Sequence, residues 1–577
     1  MVTIAGPRLK KVRIKNYRSI GEWIEIALPT NAPLVLIGEN NAGKSNIVRA
    51  LTLVLGEMWP GNHNPEDHEF FGRSPEGIEM RIHVEVEGIA CPKGCNNSDV
   101  RQFIWKFCKD DDRPCEFRFE ATSCDHTYMS NELRGQLACM TVGIDRDLSW
   151  QLSYGSKWTT LSKLMRRFHA RLIEDEQRVE KLKGFYGDLV ETFYEVDEFK
   201  DFADSLKAAT DDFGGNLPYG LDIDFSAYDA SNFFRSMRVF PHLDGQARAY
   251  EELGTGQEQV LAMAFTYAYA KAFGGDGLVL VVEEPEAHLH PLAQQWVAAK
   301  LQELALEGVQ VILTTHSPYF VNLSRPGTTV LVRKNGEGQA STVVQLKPAE
   351  LVAAVQAMGA PETVTAASVG PFYENSATNE IKAGLFARAC VLVEGPTEAM
   401  ALAELLRRLG SDLVRLGVAL VPVGGITNLA KWVRYFRAHD IPIYPIFDTD
   451  SAKTGQDAGK ARVARQDLFG ALGLNSDLDW DDFVEGPIGV HADFAVFDAD
   501  FETALRARFG EEYVDLEANG RESFGNAKPL IARHVARSLT APPEDPEQDP
   551  SAWDSLRPLG QRLATLAGGT DSGAPAP

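Results

Sequence analysis

The stretch GENNAGKS, Gly38 to Ser45, follows the apolar run PLVLI and precedes a segment with helical spacing. It fits G-x4-G-K-S in the strand-loop-helix context that such a loop requires. Its glycines let the backbone around Gly38, Asn40, Asn41, Ala42 and Gly43 close on the phosphates of a nucleotide. Lys44 neutralises the β and γ oxygens, and the Ser45 hydroxyl coordinates Mg²⁺. A helix is expected from Asn46 to about Leu55, stopped by Gly56. The loop therefore predicts an α/β domain that binds ATP.

At 577 residues the chain exceeds what one core supports, so two or three domains are expected. The opening MVTIAGPRLKKV lacks the apolar stretch of a secretory signal, and no apolar run reaches the roughly 18 residues that a membrane helix needs. The expectation is a cytoplasmic protein with no membrane partner. A net charge of −24 means that any nucleic acid must be held by local basic groups and bound cations rather than by the overall field. Five cysteines, Cys91, Cys95, Cys108, Cys115 and Cys124, cluster in one stretch. CPKGC has a spacing that zinc could use, but no second pair follows it; the plainer reading is buried or free thiols.

Further motifs follow in order. LGTGQ, Leu253 to Gln257, supplies Gly254, Gly256 and Gln257 ahead of an apolar helix. The strand GLVLVV ends in Glu283-Glu284-Pro285, where one carboxylate can hold Mg²⁺ and Glu284 can polarise an attacking water. ILTTHS offers His316 beside the γ-phosphate. This series, with the IKNYRSI opening, resembles the ABC-type ATPases of the SMC and RecF kind. Glu283 stands where Asp is usual, and LGTGQ replaces LSGGQ, so slow hydrolysis is expected. His288 and His290 in EAHLHP lack further ligands at metal spacing and are read as shaping the loop. In that family one subunit's signature motif completes the other's phosphate site, which implies a homodimer. Helical spacing from Trp158 to about Thr210 marks an insertion with an apolar stripe that a second copy would cover.

VLVEGPTEAM places Glu394 at the end of an apolar strand and Glu398 in the first turn of a helix running to about Leu409. IPIYPIFDTD ends in Asp448-x-Asp450, whose two-residue spacing points both carboxylates one way. Asp500 and Glu502 follow the strand FAVF. Carboxylates converging at the edge where open α/β sheets place ligands would repel unless divalent metal neutralised them. Oxygen-only ligands suit Mg²⁺, Mn²⁺ or Ca²⁺. Two such ions clamp both oxygens of an in-line phosphoryl displacement, and Lys528 is placed to stabilise its charge.

E-G-x-x-E followed about fifty residues later by D-x-D, with VPVGGITNLAKW between, resembles the Toprim domain of topoisomerases, primases and nucleases. An ABC-type ATPase joined to a C-terminal Toprim domain resembles the OLD (overcoming-lysogenization-defect) family nucleases, in particular the stand-alone class 1 members. That resemblance implies metal-dependent nicking and cleavage of DNA, in repair, processing or anti-phage defence. It gives Glu394, Glu398, Asp448, Asp450, Glu502 and Lys528 roles in metal binding and catalysis, with Asp500 the looser match. The expected fold is α/β throughout. Residues 1–157 and 236–375 form the ATPase domain, 158–235 the helical, dimerising insertion, 376–540 the Toprim domain, and 541–577 an acidic, Pro-rich tail, partly disordered around a short helix.

DNA contact is expected from Lys431, Arg434 and Arg437, which share about a third of a helix circumference, and from Lys453, Lys460, Arg462 and Arg465 after the D-x-D. Two rival readings share these motifs. A strand-passage enzyme would need a nucleophilic tyrosine on a separate DNA-binding domain. An SMC-like clamp with a non-catalytic Toprim domain would have no need of the full acidic set.

Overall fold

The computed structural model describes residues 6–56, 58–91, 99–122, 129–143, 168, 171–214, 242–243, 246–247, 252–273, 277–334, 340–451, 453–475, 486–543 and 551–568. The chain divides into two compact units: Met1–Val142, Ala270–Glu286 and His290–Pro577 form one; Gly143–Tyr269 and Ala287–Leu289 form the other.

In the larger unit the first strands are β1 (Arg8–Lys15), β2 (Ile24–Ala27), β3 (Leu34–Ile37), β4 (Glu79–Glu87), β5 (Val100–Cys108), β6 (Cys115–Ala121) and β7 (Ala138–Val142). An antiparallel sheet has the order β2-β1-β4-β5-β6. In β4 buried and solvated residues alternate, as one-sided packing requires, with Met80, Ile82, Val84 and Val86 the buried set. Helix α1 (Lys44–Leu55) packs Ile47, Val48, Leu51, Val54 and Leu55 into the same core. It starts two residues earlier than expected, and the N–H of Gly56 closes it on the Thr52 carbonyl.

The smaller unit contains helices α2 (Glu176–Tyr194) and α3 (Asp197–Gly214), the short pair β8 (His242–Leu243) and β9 (Gln246–Ala247), and most of α4 (Thr255–Phe273). Leu161, Leu164 and much of the expected 158–235 insertion lie outside the described residues.

Back in the larger unit come β10 (Leu278–Glu283), α5 (Pro291–Leu306), β11 (Gln310–Thr314), β12 (Thr329–Lys334) and β13 (Ser341–Val344). They build a second sheet of order β13-β12-β3-β11-β10-β7. Strands β12, β3, β11, β10 and β7 run parallel, so their C-terminal ends share one edge. Strands β10 and β11 are near-continuous apolar runs because both faces of a parallel sheet are covered.

The third sheet, β15-β14-β16-β18-β17, uses β14 (Ala389–Val393), β15 (Val418–Pro422), β16 (Ile443–Asp448), β17 (Ile488–Val490) and β18 (Ala495–Phe497). All but β17 are parallel to their neighbours. Around it lie α6 (Pro396–Arg408), α7 (Ile426–Ala438), α8 (Gly455–Leu472), α9 (Phe501–Phe524), α10 (Lys528–Ser538) and α11 (Arg557–Leu566). The short helix expected within the tail is α11, and its segment packs into the domain: Trp553, Leu556, Leu559 and Leu563 are buried in this domain's core. Their apolar spacing on a short helical segment outweighs the acidic, proline-rich text before them.

Candidate active sites

The nucleotide site lies on the C-terminal edge of the second sheet. Gly38 (φ 143°) and Gly43 (φ 115°) take conformations that L side chains rarely adopt. A Cβ on Gly38 would fall 2.1 Å from the Val332 carbonyl oxygen, so no larger residue fits. Lys44 is buried, and its Nζ donates to the carbonyls of Gly38 (2.8 Å) and Glu39 (2.9 Å). Burial lowers its pKa to about 8 against the opposing pull of Glu284, Glu286 and Glu39. The ammonium thus sits where a phosphate would gain most from it.

The Ser45 hydroxyl bonds to Glu283, whose carboxyl burial pushes upward in pKa. Glu284 has φ 44°, and its N–H donates to the Thr314 carbonyl at 2.9 Å. Its Oε1 lies 4.0 Å from Nε2 of His316. Burial, then the nearby Lys44 charge, keeps the His316 imidazole below its ordinary pKa. Glu286, not singled out from sequence, accepts the His316 N–H (2.6 Å) and the Thr315 hydroxyl (2.8 Å). It holds the histidine loop; the run EEPEAH contained it, but nothing in one dimension links it to residue 316.

In the smaller unit the signature glycines open α4. The Gly254 N–H donates to Gln257 Oε1 at 3.2 Å, and Gly256 lies in the first turn. His290 caps α5 by accepting the Ala293 N–H at 3.4 Å, a loop-shaping role.

The carboxylate site occupies the C-terminal edge of the third sheet. Glu394 follows β14, Asp448 ends β16, Asp450 follows it, and Asp500 follows β18. Glu394 Oε1 accepts the Asp448 N–H at 3.0 Å. Glu398 Oε2 accepts the Gly395 N–H at 3.0 Å, in the first turn of α6. Asp500 caps α9 through the N–H (2.8 Å) and hydroxyl (2.9 Å) of Thr503, with Glu502 in the first turn. Lys528 opens α10, and its charge weakly opposes the rise that burial imposes on the Glu398 carboxyl. Asp450 Oδ1 lies 2.8 Å from Lys453 Nζ, and its Oδ2 lies 3.6 Å from Arg465 Nη2.

Burial dominates the electrostatics here. It raises Glu394 to about 7, with Asp450 and Glu398 adding to the shift. Asp448 is pushed well above its ordinary value by burial and then by Glu394, Glu398, Asp450 and Asp500. Glu398 is raised by burial and by Glu502. Asp448 Oδ1 is buried without a hydrogen-bond partner. A crowd of buried carboxylates with an orphaned oxygen fits a divalent cation, whose charge would do what protonation does otherwise. The side chains are bound to their own backbone and to Lys453, and among the described residues no three His, Cys, Asp or Glu groups are already gathered around a metal position.

The cationic helix face is a correction. Arg434 is buried, bonds Asp467, and donates to the Met358 carbonyl at 2.8 Å. Lys431 bonds Ser376 and donates to the Phe372 carbonyl at 2.7 Å, and Arg437 donates to the Ala471 carbonyl at 2.7 Å. Arg465 is 2% exposed. Arg434 and Arg465 thus serve packing, whereas Lys431 is half-buried and Arg437 exposed. Lys453, Lys460 and Arg462 remain at the surface. Cys91, Cys108 and Cys115 are free thiols, while Cys95 and Cys124 lie outside the described residues. No described helix is long and apolar enough to cross a membrane.

An AAA ATPase domain model matches residues 8–132 and 152–321. One described as the Toprim domain of overcoming lysogenization defect protein-like proteins matches 385–450. The chain is 26% identical over 465 residues to the OLD nuclease of Thermus scotoductus, covering 77% of this chain and 82% of that one. It is 22% identical over 471 residues to the Old nuclease of Escherichia phage P2, covering 77% of each. It is also 22% identical over 499 residues to endonuclease GajA of Bacillus cereus, covering 82% of this chain and 78% of the relative.

Proposed function

From the chain's membership of the OLD nuclease family, an AAA ATPase domain followed by an OLD-like Toprim domain, we infer that it hydrolyses ATP at Lys44 and cuts DNA at the Glu394–Asp448 corner. It is an ATPase and a nuclease that uses nucleotide and divalent metal. The observation that carries the assignment of the cutting site is the orphaned Asp448 Oδ1 amid carboxyls that raise one another's pKa.

Glu394, Glu398, Asp448, Asp450, Asp500 and Glu502 would hold Mg²⁺ or Mn²⁺, with Ca²⁺ also matching the oxygen donors. Such ions, when bound, polarise the scissile phosphate and clamp its attacking and leaving oxygens. Within the chain, Glu394 fixes the end of β16 through the Asp448 N–H and so aims Asp448, while the Ala499 carbonyl holds the Asp450 N–H at 2.8 Å. Lys528, beside Glu398, faces the charge that builds on the phosphate. Lys453, Lys460 and Arg462 meet the DNA backbone. In the ATPase site Lys44 would hold phosphate, Ser45 and Glu283 would hold Mg²⁺, and Glu284 would orient water with His316 nearby.

The working form is a homodimer. Its support is the exposed aromatic surface of α2 and α3, where Phe185 is 61% and Phe202 58% exposed. The family's descriptor, overcoming lysogenization defect, points to anti-phage defence or DNA processing as the setting.

Supercoiled plasmid incubated with the protein and Mn²⁺ or Mg²⁺ gives open-circular product in this account, and excess EDTA stops it. Cutting that persists in EDTA would remove the metal-dependent reading.

A further inference from the structure

The root of β14 is braced against the P-loop from two sides. Strand β12 pairs in parallel with β3, Leu331 opposite Ile37, and the Val332 carbonyl lies against Gly38 with no room for a side chain between. The next residue, Arg333, donates to the Ala387 carbonyl at 3.1 Å and the Asp440 carbonyl at 2.8 Å. In return Arg388 Nε donates to Glu39 Oε1 at 2.8 Å, inside the loop that Lys44 grips through the Gly38 and Glu39 carbonyls. The Arg388 N–H donates to the Gly417 carbonyl at 2.9 Å, and its stem lies where a Cβ on Gly417 would be 3.1 Å from Cδ. Arg388 is therefore locked to the start of the sheet while its head sits on the P-loop.

Strand β14 begins at the next residue, is fully buried and ends at Val393, immediately before Glu394. Six residues of extended chain carry a shift at Arg388 roughly 20 Å to the carboxylate edge. There the Val393 and Glu394 carbonyls accept the N–H groups of Val423 (3.0 Å), Gly424 (3.0 Å) and Gly425 (2.7 Å). A triphosphate entering the loop must draw Lys44 off the Gly38 and Glu39 carbonyls and places new negative charge beside the Glu39–Arg388 pair.

We propose that the Arg388–Glu39 ion pair is the element that transmits nucleotide occupancy of the P-loop to the position of Glu394, making Arg388 a coupling residue between the two sites. This rests on the assignment of both sites above. The pair is exposed, 58% and 38% for its two side chains, so its loss costs little stability and its value lies in the link.

The test compares wild type, Arg388→Gln and Arg388→Lys with and without a saturating non-hydrolysable ATP analogue. One readout is the plasmid nicking rate at fixed free Mn²⁺; the other is hydrogen exchange of the amides of residues 423–425. In wild type the analogue changes the nicking rate at least about fivefold, in either sense, as a coupling between sites requires, and shifts the exchange rates. In Arg388→Gln the basal rate stays within about twofold, and both responses vanish. Arg388→Lys, which keeps charge and reach, restores them. An unresponsive wild type, or Arg388→Gln that responds like wild type, overturns the proposal. If no protein nicks DNA at all, the nuclease assignment fails instead, and the exchange readout still decides the coupling.

Discussion

Glu394 Oε1 and the backbone N–H of Asp448 are joined at 3.0 Å, which ties the ends of two neighbouring parallel strands into one acidic corner. The bond fixes where Asp448 points, and it leaves Asp448 Oδ1 buried without a partner. Repulsion inside that corner is relieved by protons or by cations, and several expectations follow from which of the two is present.

The first concerns pH. Glu394 is raised from 4.5 to about 7 in the folded chain. The folded state then binds more protons than the unfolded state between those values, so metal-free stability falls as pH rises from 4.5 through 7. The limiting slope for one such group is about 1.4 kcal/mol per pH unit. Thermal unfolding in EDTA across that range should show a steeper decline for wild type than for Glu394→Gln, and Mn²⁺ should remove the difference. Equal slopes in EDTA would contradict the assignment of Glu394 as a strained carboxyl.

A second expectation separates the two sites. Lys44→Ala leaves phosphate without its counter-charge and abolishes ATP hydrolysis. The nuclease carboxylates sit on a different sheet, so metal-dependent nicking remains measurable. A folded Lys44→Ala protein that cuts nothing where wild type cuts would make nucleotide binding obligatory for cleavage.

For Lys528, truncation to Ala should lower the nicking rate by roughly 10²–10³-fold, the usual cost of removing one group that stabilises transition-state charge. Metal affinity, followed by Mn²⁺ titration, should change little. A parallel collapse of metal binding would make it a structural residue of the α10 start instead.

The dimer rests on α2 and α3. Replacing Phe185 and Phe202 by Asp should convert a dimer to a 63.5 kDa monomer in sedimentation at micromolar concentration. A wild type that sediments only as monomer with ATP present rules the pairing out.

Much of both sites was legible in the sequence because their chemistry is local. Gly38 to Ser45 must be contiguous to wrap a phosphate, and Asp448 and Asp450 stand together at the end of one strand, although the chain leaves the strand at Asp448 and Asp450 takes a positive φ. Tertiary partners were not legible. Glu286 matters through the N–H of His316, thirty residues away, and Arg434 through Asp467 and Met358 on other segments. A cationic helix face looks the same in one dimension whether it meets DNA or a neighbouring carbonyl. The C-terminal segment hid its buried Trp553, Leu556, Leu559 and Leu563 behind a stretch whose composition is that of a disordered tail.

The most direct measurement takes Asp448→Ala through two assays on one preparation: plasmid nicking with Mn²⁺, and phosphate release from ATP. Nicking should fall below detection while ATP hydrolysis stays within about twofold of wild type, because the residue removed belongs to the metal corner and not to the P-loop. Nicking at the wild-type rate by a folded Asp448→Ala protein would contradict it and move the nuclease site elsewhere.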